Sequence, residues 1–447
     1  MNGAAEQVDA VIVGARCAGS AAATALARAG RSVVCLERAT FPADTLSTHL
    51  LFLGGVVELD RLGALERVLA LGPPRLDEAT MSWGRYEIRT GPSPVDGLDY
   101  ALCVRRPGLD AALAATARES GAEIREGCRA LGCVWDAGRM AGVRYRAADG
   151  TEREIRAPLV IGADGRRSLV AREAGVAKSP RLRSANGRGC YFAYWRDGRP
   201  ELRSRAAQWR QGRELVTAFP CDGDLVLVLL MPPVDRAADF EGDLDAEFLR
   251  TAFSVPGLAA RLEGAEKVSK VRHTNSTASY FRRSQGPGWA LPGDAGHFKD
   301  PVTAQGIRDA LRFGRLLGEA VAPELDDPGA LDGALAEWEA NRDEECIEMY
   351  QWTNRLGRAE EMSPVEAELY RQGSADPELA RSFLDVMART RRPREVMTTK
   401  RVGRLIAGAV RHGETGGAAV IRSGAADARD AVAETLERVR FRSSLPV

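Results

Sequence analysis

Residues 11–19, with the sequence VIVGARCAG, join a short apolar run to a glycine-containing turn and an alanine-rich stretch. A strand, a tight turn and a helix in this order gather free backbone N–H groups at the positive end of the helix dipole, where phosphate binds well. Glu37 follows Gly14 at close to the roughly 20 residues that separate such a turn from the acid that holds a ribose hydroxyl. The segment therefore predicts a dinucleotide site, and the alternative at this point is a helix packed on a strand without a nucleotide.

Arg16 departs from the usual spacing of three glycines, because it stands where the middle glycine is expected. A side chain there crowds the approach of the backbone to a pyrophosphate. We expect the arginine instead to pair with a phosphate or to close over the cofactor. The contacts predicted for this turn and for the acid after it are Gly14, Ala15, Arg16, Cys17, Ala18, Gly19, Glu37 and Arg38.

Two later segments repeat the pattern of an apolar run followed by a polar turn. Residues 158–163 predict a buried strand with Asp164 at its C-terminal end, and residues 289–292 lead into Gly293 and Asp294. Ligands of open α/β sheets bind at this end of the strands. We therefore predict that Asp164, Gly293 and Asp294 contact the cofactor, although a lone pair of glycine and aspartate would be only a turn signal.

Residues 301–306 lead into a helical pattern over residues 307–321. The N-terminus of that helix favours negative charge, as the first turn does. The predicted contacts at this helix start are Pro301, Gly306 and Ile307.

Together, residues 11–19, 161–168 and 291–297 resemble the motifs of one superfamily of FAD-dependent oxidoreductases. It contains the aromatic hydroxylases (class A flavin monooxygenases), the flavin halogenases and the geranylgeranyl reductases. The resemblance runs from about residue 8 to about residue 322. It implies an FAD cofactor, with Asp294 accepting from a ribityl or ribose hydroxyl.

The resemblance also implies an α/β fold with a glutathione-reductase-like FAD-binding Rossmann domain, an inserted mixed β-sheet substrate domain and a helical C-terminal region. The FAD-binding domain is then expected to be discontinuous and to comprise residues 1–80, 100–180 and 285–325. The substrate domain is expected over residues 81–99 and 181–284, and the helical region over residues 326–447.

One loop and one arginine also receive their roles from the resemblance. In this superfamily the loop after the ribose acid runs beneath the flavin ring, so Ser47, Thr48 and His49 are expected to reach it. His49 is the candidate catalytic residue on the flavin side, and capping of the next helix is the alternative. For Arg105, the resemblance favours contact with the FAD phosphates or the flavin edge over a solvated strand end.

Residues 189–231 predict several strands rich in aromatic and branched side chains. We expect this sheet to lie over the flavin with the substrate between them, and the apolar character of its strands favours an apolar or polycyclic substrate. The candidate pocket residues are Tyr191, Tyr194, Trp195, Trp209, Phe219 and His273.

Within the superfamily the leading hypothesis is a monooxygenase, in which NAD(P)H reduces FAD and one oxygen atom of O₂ is transferred to the substrate. The alternative is a reductase that delivers hydride to a C=C bond, because residues 301–310 are similar in length to the reductase motif. A halogenase is disfavoured, since no lysine precedes Lys178 and no two tryptophans lie two residues apart. A non-catalytic flavin-binding regulator is disfavoured because nothing resembles a docking module. No second glycine-rich turn is evident, so NAD(P)H is expected to bind transiently.

Composition restricts the remaining function classes. The chain has 447 residues and equal numbers of basic and acidic residues, 62 each, which gives no field for nucleic acid. We expect no membrane span, no signal peptide and a cytoplasmic location. The eight cysteines are expected to be buried or incidental thiols, and with four histidines no metal site is expected. The lysine-poor composition suggests bacterial natural-product (antibiotic) biosynthesis, and the oligomeric state stays open.

Overall fold

A six-stranded sheet forms the centre of the first lobe in this computed structural model, which describes residues 6–412 and 417–443. Ala10–Val13, Val33–Leu36 and Leu159–Gly162 are buried along their whole length and pair in parallel. Strands covered on both faces carry continuous apolar runs, as these three do. The strand order is Gln285–Gly286, Trp289–Ala290, Leu159–Gly162, Ala10–Val13, Val33–Leu36 and Glu123–Arg125, with only the first pair antiparallel.

Two helices pack closely against one face of this sheet. Cys17–Arg28 follows the first glycine turn, and Gly306–Val321 runs beside it in the same direction. A Cβ atom on Gly314 would lie 2.4 Å from the Ala18 carbonyl oxygen, so this pair of helices tolerates only glycine there. The close approach brings the starts of both helices to the same edge of the sheet.

The other face is covered by a four-stranded sheet, in the order Glu6–Gln7, Glu152–Arg156, Arg139–Arg146 and Arg129–Asp136. Its buried side chains, such as Met140 and Val143, pack against Val11 and Val13 of the central sheet. Alternate residues of the central strands therefore point to two different layers, with Ile12 on the helix side.

The second lobe is built on an eight-stranded sheet. Glu78–Trp83 joins this sheet just before the expected domain boundary at residue 81, and it pairs in parallel with Arg205–Gln211. One face packs on the helices Leu244–Ser254 and Pro256–Arg261, and the other faces the first lobe. The main strand order is Glu266–Lys267, Cys190–Arg196, Leu225–Leu230, Glu214–Cys221, Arg205–Gln211, Glu78–Trp83 and Tyr86–Thr90, with Arg272–Thr274 also on Cys190–Arg196.

Further helices, small sheets and 3-10 turns complete the two lobes. The helices are Leu53–Arg61, Leu65–Leu69, Arg106–Glu119 and Leu169–Glu173. One small sheet pairs Leu50–Leu51 with Leu102–Cys103, and another orders Leu182–Ser184, Ser279–Phe281 and His297–Phe298. The 3-10 turns include Gly293–Ala295 and Pro301–Thr303.

The chain from residue 328 onward is helical wherever it forms regular structure in the described part. Proline in the first turn and a capping side chain just before it, from Asp327, Ser363 or Asp376, start three of these helices. No helix of the described part is long and apolar enough to cross a membrane. The helices are Pro328–Gly357, Pro364–Gly373, Pro377–Met387, Pro393–Val396, Thr399–His412 and Gly417–Ser443.

Candidate functional site

The first glycine turn is shaped to leave backbone N–H groups open. Gly14 has φ +96°, and a Cβ atom there would lie 2.6 Å from the carbonyl oxygen of Ala163 on the neighbouring strand. The helix Cys17–Arg28 begins after Arg16, and no side chain caps its first N–H groups. This helix start is therefore free to bind an anion such as a pyrophosphate.

Glu37 stands at the end of strand Val33–Leu36, as the sequence predicts for a ribose-binding acid. Its carboxylate accepts a hydrogen bond from the Ala15 N–H (3.0 Å) and another from the Ala39 N–H (2.9 Å). A carboxylate has further lone pairs beyond these two, so it supports the turn and still accepts from a hydroxyl. Arg38 is exposed.

The Arg16 side chain is held to one side of the glycine turn by two hydrogen bonds. Its guanidinium donates to Asp110 Oδ2 (2.6 Å) and to the Ala43 carbonyl (3.2 Å). Arg106 donates to the same Asp110 carboxylate (2.8 Å), which is fully buried. Two arginines on one carboxylate leave one positive charge in excess next to the first glycine turn. Sequence reasoning missed Arg106 and Asp110, although their four-residue spacing on helix Arg106–Glu119 is a detectable ion-pair signal.

Two aspartates at the strand ends carry acceptor oxygens that nothing in the described residues satisfies. Asp164 Oδ2 accepts from the Leu169 N–H (2.6 Å), whereas its buried Oδ1 has no partner. The Asp294 side chain is only partly buried, and its carboxylate receives no hydrogen bond within residues 6–412 and 417–443. Burial raises the pKa of both aspartates. A buried orphan acceptor such as Asp164 Oδ1 is costly unless a ligand donates to it. Hydroxyl-rich FAD fits this requirement at Asp164, and Asp294 offers its hydroxyls a second free acceptor.

The turn before the second helix is also open. Ala304 adopts a left-handed backbone (φ +51°), and Gly306 is exposed, with nothing within 4 Å of the point that a Cβ atom would occupy. Helix Gly306–Val321 then starts without a side-chain cap, while Ile307 is buried behind it. Pro301 begins the 3-10 turn that precedes it. The open N–H groups favour a negatively charged group at this point.

A buried ionic cluster lies behind that helix start. Asp309 accepts from the Lys299 ammonium and from Arg308 (2.8 Å), and all three side chains are buried. Although burial alone would raise the pKa of Asp309, the Lys299 charge lowers it well below the usual value. Burial, then Lys299, lowers the pKa of the neighbouring His297 to about 3. Arg308 also donates to Glu345 (2.6 Å), so the two cations are balanced by two carboxylates, and Lys299 is fixed to Asp309.

His49 is fully buried and adopts a left-handed backbone (φ +64°) that is uncommon for residues other than glycine. Its Nδ1 lies 2.7 Å from the Ser47 carbonyl and its Nε2 2.5 Å from the Tyr194 hydroxyl. Burial, followed by the charge of Arg106, lowers its pKa to about 3. The next helix, Leu53–Arg61, is preceded by Phe52, so His49 does not cap it.

The other residues predicted near the flavin lie around this histidine. The Ser47 hydroxyl accepts from the His49 N–H (3.2 Å), and Thr48 is buried. Arg105 is not a solvated strand end, since its N–H and Nε donate to Asp222 at 2.8 and 2.7 Å. This pair joins the first lobe to the end of strand Glu214–Cys221.

The predicted pocket residues divide between the two faces of the eight-stranded sheet. Tyr194 and Phe219 belong to the face toward the first lobe, together with Leu50, Cys103 and Val302. The remaining candidates do not face that lobe, because side chains alternate across a strand. Those on the opposite, helix-covered face are Tyr191, Trp195, Trp209 and His273.

The opposite face is densely filled. Tyr191 stacks on Phe240 (4.0 Å between centroids) and on the exposed His273 (5.4 Å). Trp209 lies so close to Gly257 that a Cβ atom there would meet the indole nitrogen at 2.1 Å. These contacts correct the sequence-based grouping, since they place Tyr191, Trp209 and His273 in the packing against helices instead of beside His49.

Comparison with known proteins agrees with the geometry. The family described as FAD binding domain matches residues 7–353. A tryptophan 2-halogenase of Chondromyces crocatus is 27% identical over 72% of this chain, which spans 63% of the halogenase, less than two thirds of its length. Digeranylgeranylglycerophospholipid reductase 2 of Methanopyrus kandleri is 28% identical over 80% of this chain and 88% of the reductase.

A rifampicin monooxygenase of Streptomyces venezuelae is 28% identical over 75% of this chain and 68% of the monooxygenase. Among solved structures, a flavoprotein/dehydrogenase from Cytophaga hutchinsonii has a TM-score of 0.77 at 19% identity, covering 92% of this chain and 100% of that one. At that identity the structural likeness shows the fold alone.

Proposed function

The chain belongs to the FAD binding domain family, and from that premise we propose that it is an NAD(P)H-driven monooxygenase acting on an apolar or polycyclic small molecule. Its setting would be bacterial natural-product biosynthesis, in line with the named activities of its relatives. The superfamily, the α/β fold and the oxidoreductase class predicted from the three segments are confirmed. The oxygen chemistry, the NAD(P)H reductant and the individual site residues stay proposals.

The observation that carries the proposal is the apolar character of the face that the eight-stranded sheet turns toward the first lobe. Phe192, Tyr194 and Phe219 are buried there with Leu227 and Leu229. The loop bearing His49 and the turn that contains Val302 close this face from the other side. A ligand between the two layers would be shielded from water. Oxygen transfer requires this shielding, because in the presence of water the activated oxygen decays to hydrogen peroxide.

The residues that would hold FAD lie at the two open helix starts and at the strand ends beside them. We propose that the start of helix Cys17–Arg28 and Arg16 bind the pyrophosphate, that Glu37 binds the ribose, and that Asp294 binds a ribityl or ribose hydroxyl. The start of helix Gly306–Val321 would stabilise negative charge on the reduced ring. When bound, FAD would supply electron transfer from NAD(P)H and activation of O₂.

Reduction of a C=C bond is the second candidate. It is favoured by the reductase of Methanopyrus kandleri, which aligns over 80% of this chain, and an apolar sheet face also suits an isoprenoid. Halogenation is not proposed, although a halogenase is among the relatives, because Lys299, the lysine beside this site, is paired with Asp309 in the core. The enzyme names of the relatives give no support to a non-catalytic regulator.

Isotopic oxygen separates the two candidates. The holoenzyme would be incubated with NADH or NADPH under ¹⁸O₂. 2-Naphthol would be the probe for oxygen transfer and geranylgeraniol the probe for C=C reduction, and product masses would be measured by mass spectrometry. We expect each product of 2-naphthol to contain one ¹⁸O atom. Without oxygen, we expect no product. A product two mass units heavier than its substrate, formed without oxygen, would establish the reductase instead.

A further inference from the structure

The hydrogen bonds that join Ser47, His49 and Tyr194 allow only one arrangement of donors and acceptors. The Nδ1 atom lies 2.7 Å from the carbonyl oxygen of Ser47, which can only accept. Nδ1 therefore carries a proton. Because the ring is buried and Arg105, Arg106 and Arg272 disfavour its protonation, it stays neutral and has no second N–H.

The Nε2 atom must then present a lone pair. It lies 2.5 Å from the Tyr194 hydroxyl, so the tyrosine donates its proton to the histidine. Burial raises the pKa of Tyr194 further above its usual value, which keeps that proton in place. The phenolic oxygen is left with lone pairs alone and can only accept from any other partner.

In the described residues, the charged side chains near this oxygen are already engaged in ion pairs, so they are less available to a ligand than the Tyr194 hydroxyl. Arg105 is paired with Asp222 (2.7 Å), and Arg272 is paired with Asp44 (2.5 Å). The hydrophobic neighbours of Tyr194 on this face include Phe192, in edge contact at 5.8 Å between ring centroids, and the charged neighbour Asp44 is the partner of Arg272. A ligand that covers this face therefore meets one polar atom of fixed character.

We infer that Tyr194 is a specificity-determining residue that accepts a hydrogen bond from a hydroxyl or N–H of the ligand, and that His49 is the positioning residue that fixes this preference. The inference rests on the proposed function, because it requires a ligand on this face of the sheet. It selects apolar molecules that carry a donor over the matching ethers, carbonyl compounds and plain hydrocarbons. A site that makes such a bond rejects analogues that cannot make it.

The test uses the oxidised holoprotein without reductant, so its result does not depend on oxygen chemistry. 2-Naphthol and 2-methoxynaphthalene would be titrated while the absorbance of the bound flavin is followed. We expect the naphthol to bind roughly fivefold more tightly, the ratio that one neutral hydrogen bond supplies. Equal affinities, or no binding of the naphthol, would overturn the inference and leave the proposed oxygen chemistry standing.

Three variants sharpen the result. Tyr194→Phe removes the acceptor, and the ratio should fall to about one. His49→Asn keeps a residue that tolerates positive φ but is too short to hold the phenolic proton, so the freed hydroxyl should donate to the ether and lower the ratio too. Tyr191→Phe is the matched control, because its hydroxyl lies on the opposite face and bonds Asn275 (2.9 Å), and the ratio should not change.

A second readout needs no ligand. The chain has four histidines, so ¹⁵N resonances of the imidazoles can be assigned by single substitutions. We expect His49 to be neutral and protonated at Nδ1. A proton on Nε2 would reverse the hydrogen bond to Tyr194 and contradict the inference.

Discussion

The edge of the central sheet and the inner face of the eight-stranded sheet treat polar side chains in opposite ways. At the sheet edge, Asp164 Oδ1 and the Asp294 carboxylate lack donors within the described residues. On the inner face, the Tyr194 hydroxyl and His49 satisfy each other, and Arg105 is paired with Asp222. The difference supports the proposal that the first region binds a ligand rich in hydroxyls and phosphates, and the second a mostly apolar one.

The largest expected effect is on FAD retention. Asp294→Ala removes the orphan acceptor, and we expect FAD affinity to fall at least about tenfold, because hydrogen bonds to charged groups are worth roughly 1.5–3 kcal/mol. The measurement is the ratio of flavin to protein after purification, with fluorescence titration of the apoprotein. Asp136→Ala is the control, since that side chain is exposed on the four-stranded sheet. Full flavin content in the Asp294 variant would remove this residue from the site.

Glycine substitutions test whether the first turn needs a close backbone approach. Gly14→Ala places a methyl group 2.6 Å from the Ala163 carbonyl at φ +96°. Gly30→Ala has similar backbone strain (φ +80°) with nothing within 4 Å. Both should lose about 1–2 kcal/mol from the left-handed backbone, and Gly14→Ala should lose more and retain less FAD. Equal losses in the free energy of unfolding, measured in urea, would mean that the contact with Ala163 is unimportant.

Acid should weaken both regions through one histidine in each. His297 and His49 have pKa values lowered to about 3, below the unfolded value of about 6.5. The unfolded chain therefore binds more protons between these values, and stability falls as the pH drops below 6.5. Each histidine should cost about 2 kcal/mol by pH 5.

Differences between variants isolate this effect, because Asp300, whose pKa burial raises to about 6, opposes it. Relative to the parent, His297→Gln and His49→Asn should each reduce the loss of stability between pH 7 and pH 5. The measurement is the free energy of unfolding in denaturant at each pH. His412→Gln serves as the control, since that ring is 40% exposed. Identical pH profiles for all three variants would show that the two buried rings do not oppose protonation.

The smallest effect concerns the excess positive charge beside the first turn. Arg16→Gln leaves Arg106 alone on Asp110 and should lower FAD affinity by only a few fold, with a weaker dependence on salt. Arg67→Gln, which removes an exposed pair with Glu119, should change neither quantity. If the Arg16 variant also leaves both unchanged, the arginine serves only to pair with Asp110.

The sequence predicted the strand-and-turn pattern of the first lobe better than the faces of the second lobe's sheet. The turns after Val13, Gly162 and Pro292 were accessible because strand, glycine and acid lie close together along the chain. The faces of the eight-stranded sheet were not, since six of the seven residues of Cys190–Arg196 are buried and no alternation can be read. The contacts Arg16–Asp110 and Arg105–Asp222 join residues 94 and 117 positions apart, which no local pattern reports.

The most direct test of the proposed monooxygenase is the return of the reduced holoenzyme to the oxidised state. The protein would be reduced without oxygen, mixed rapidly with oxygenated buffer and followed by flavin absorbance, with and without 2-naphthol. We predict a transient species whose spectrum matches neither the reduced nor the oxidised flavin before full reoxidation. A single-phase return to oxidised flavin under both conditions would contradict the account and favour the reductase.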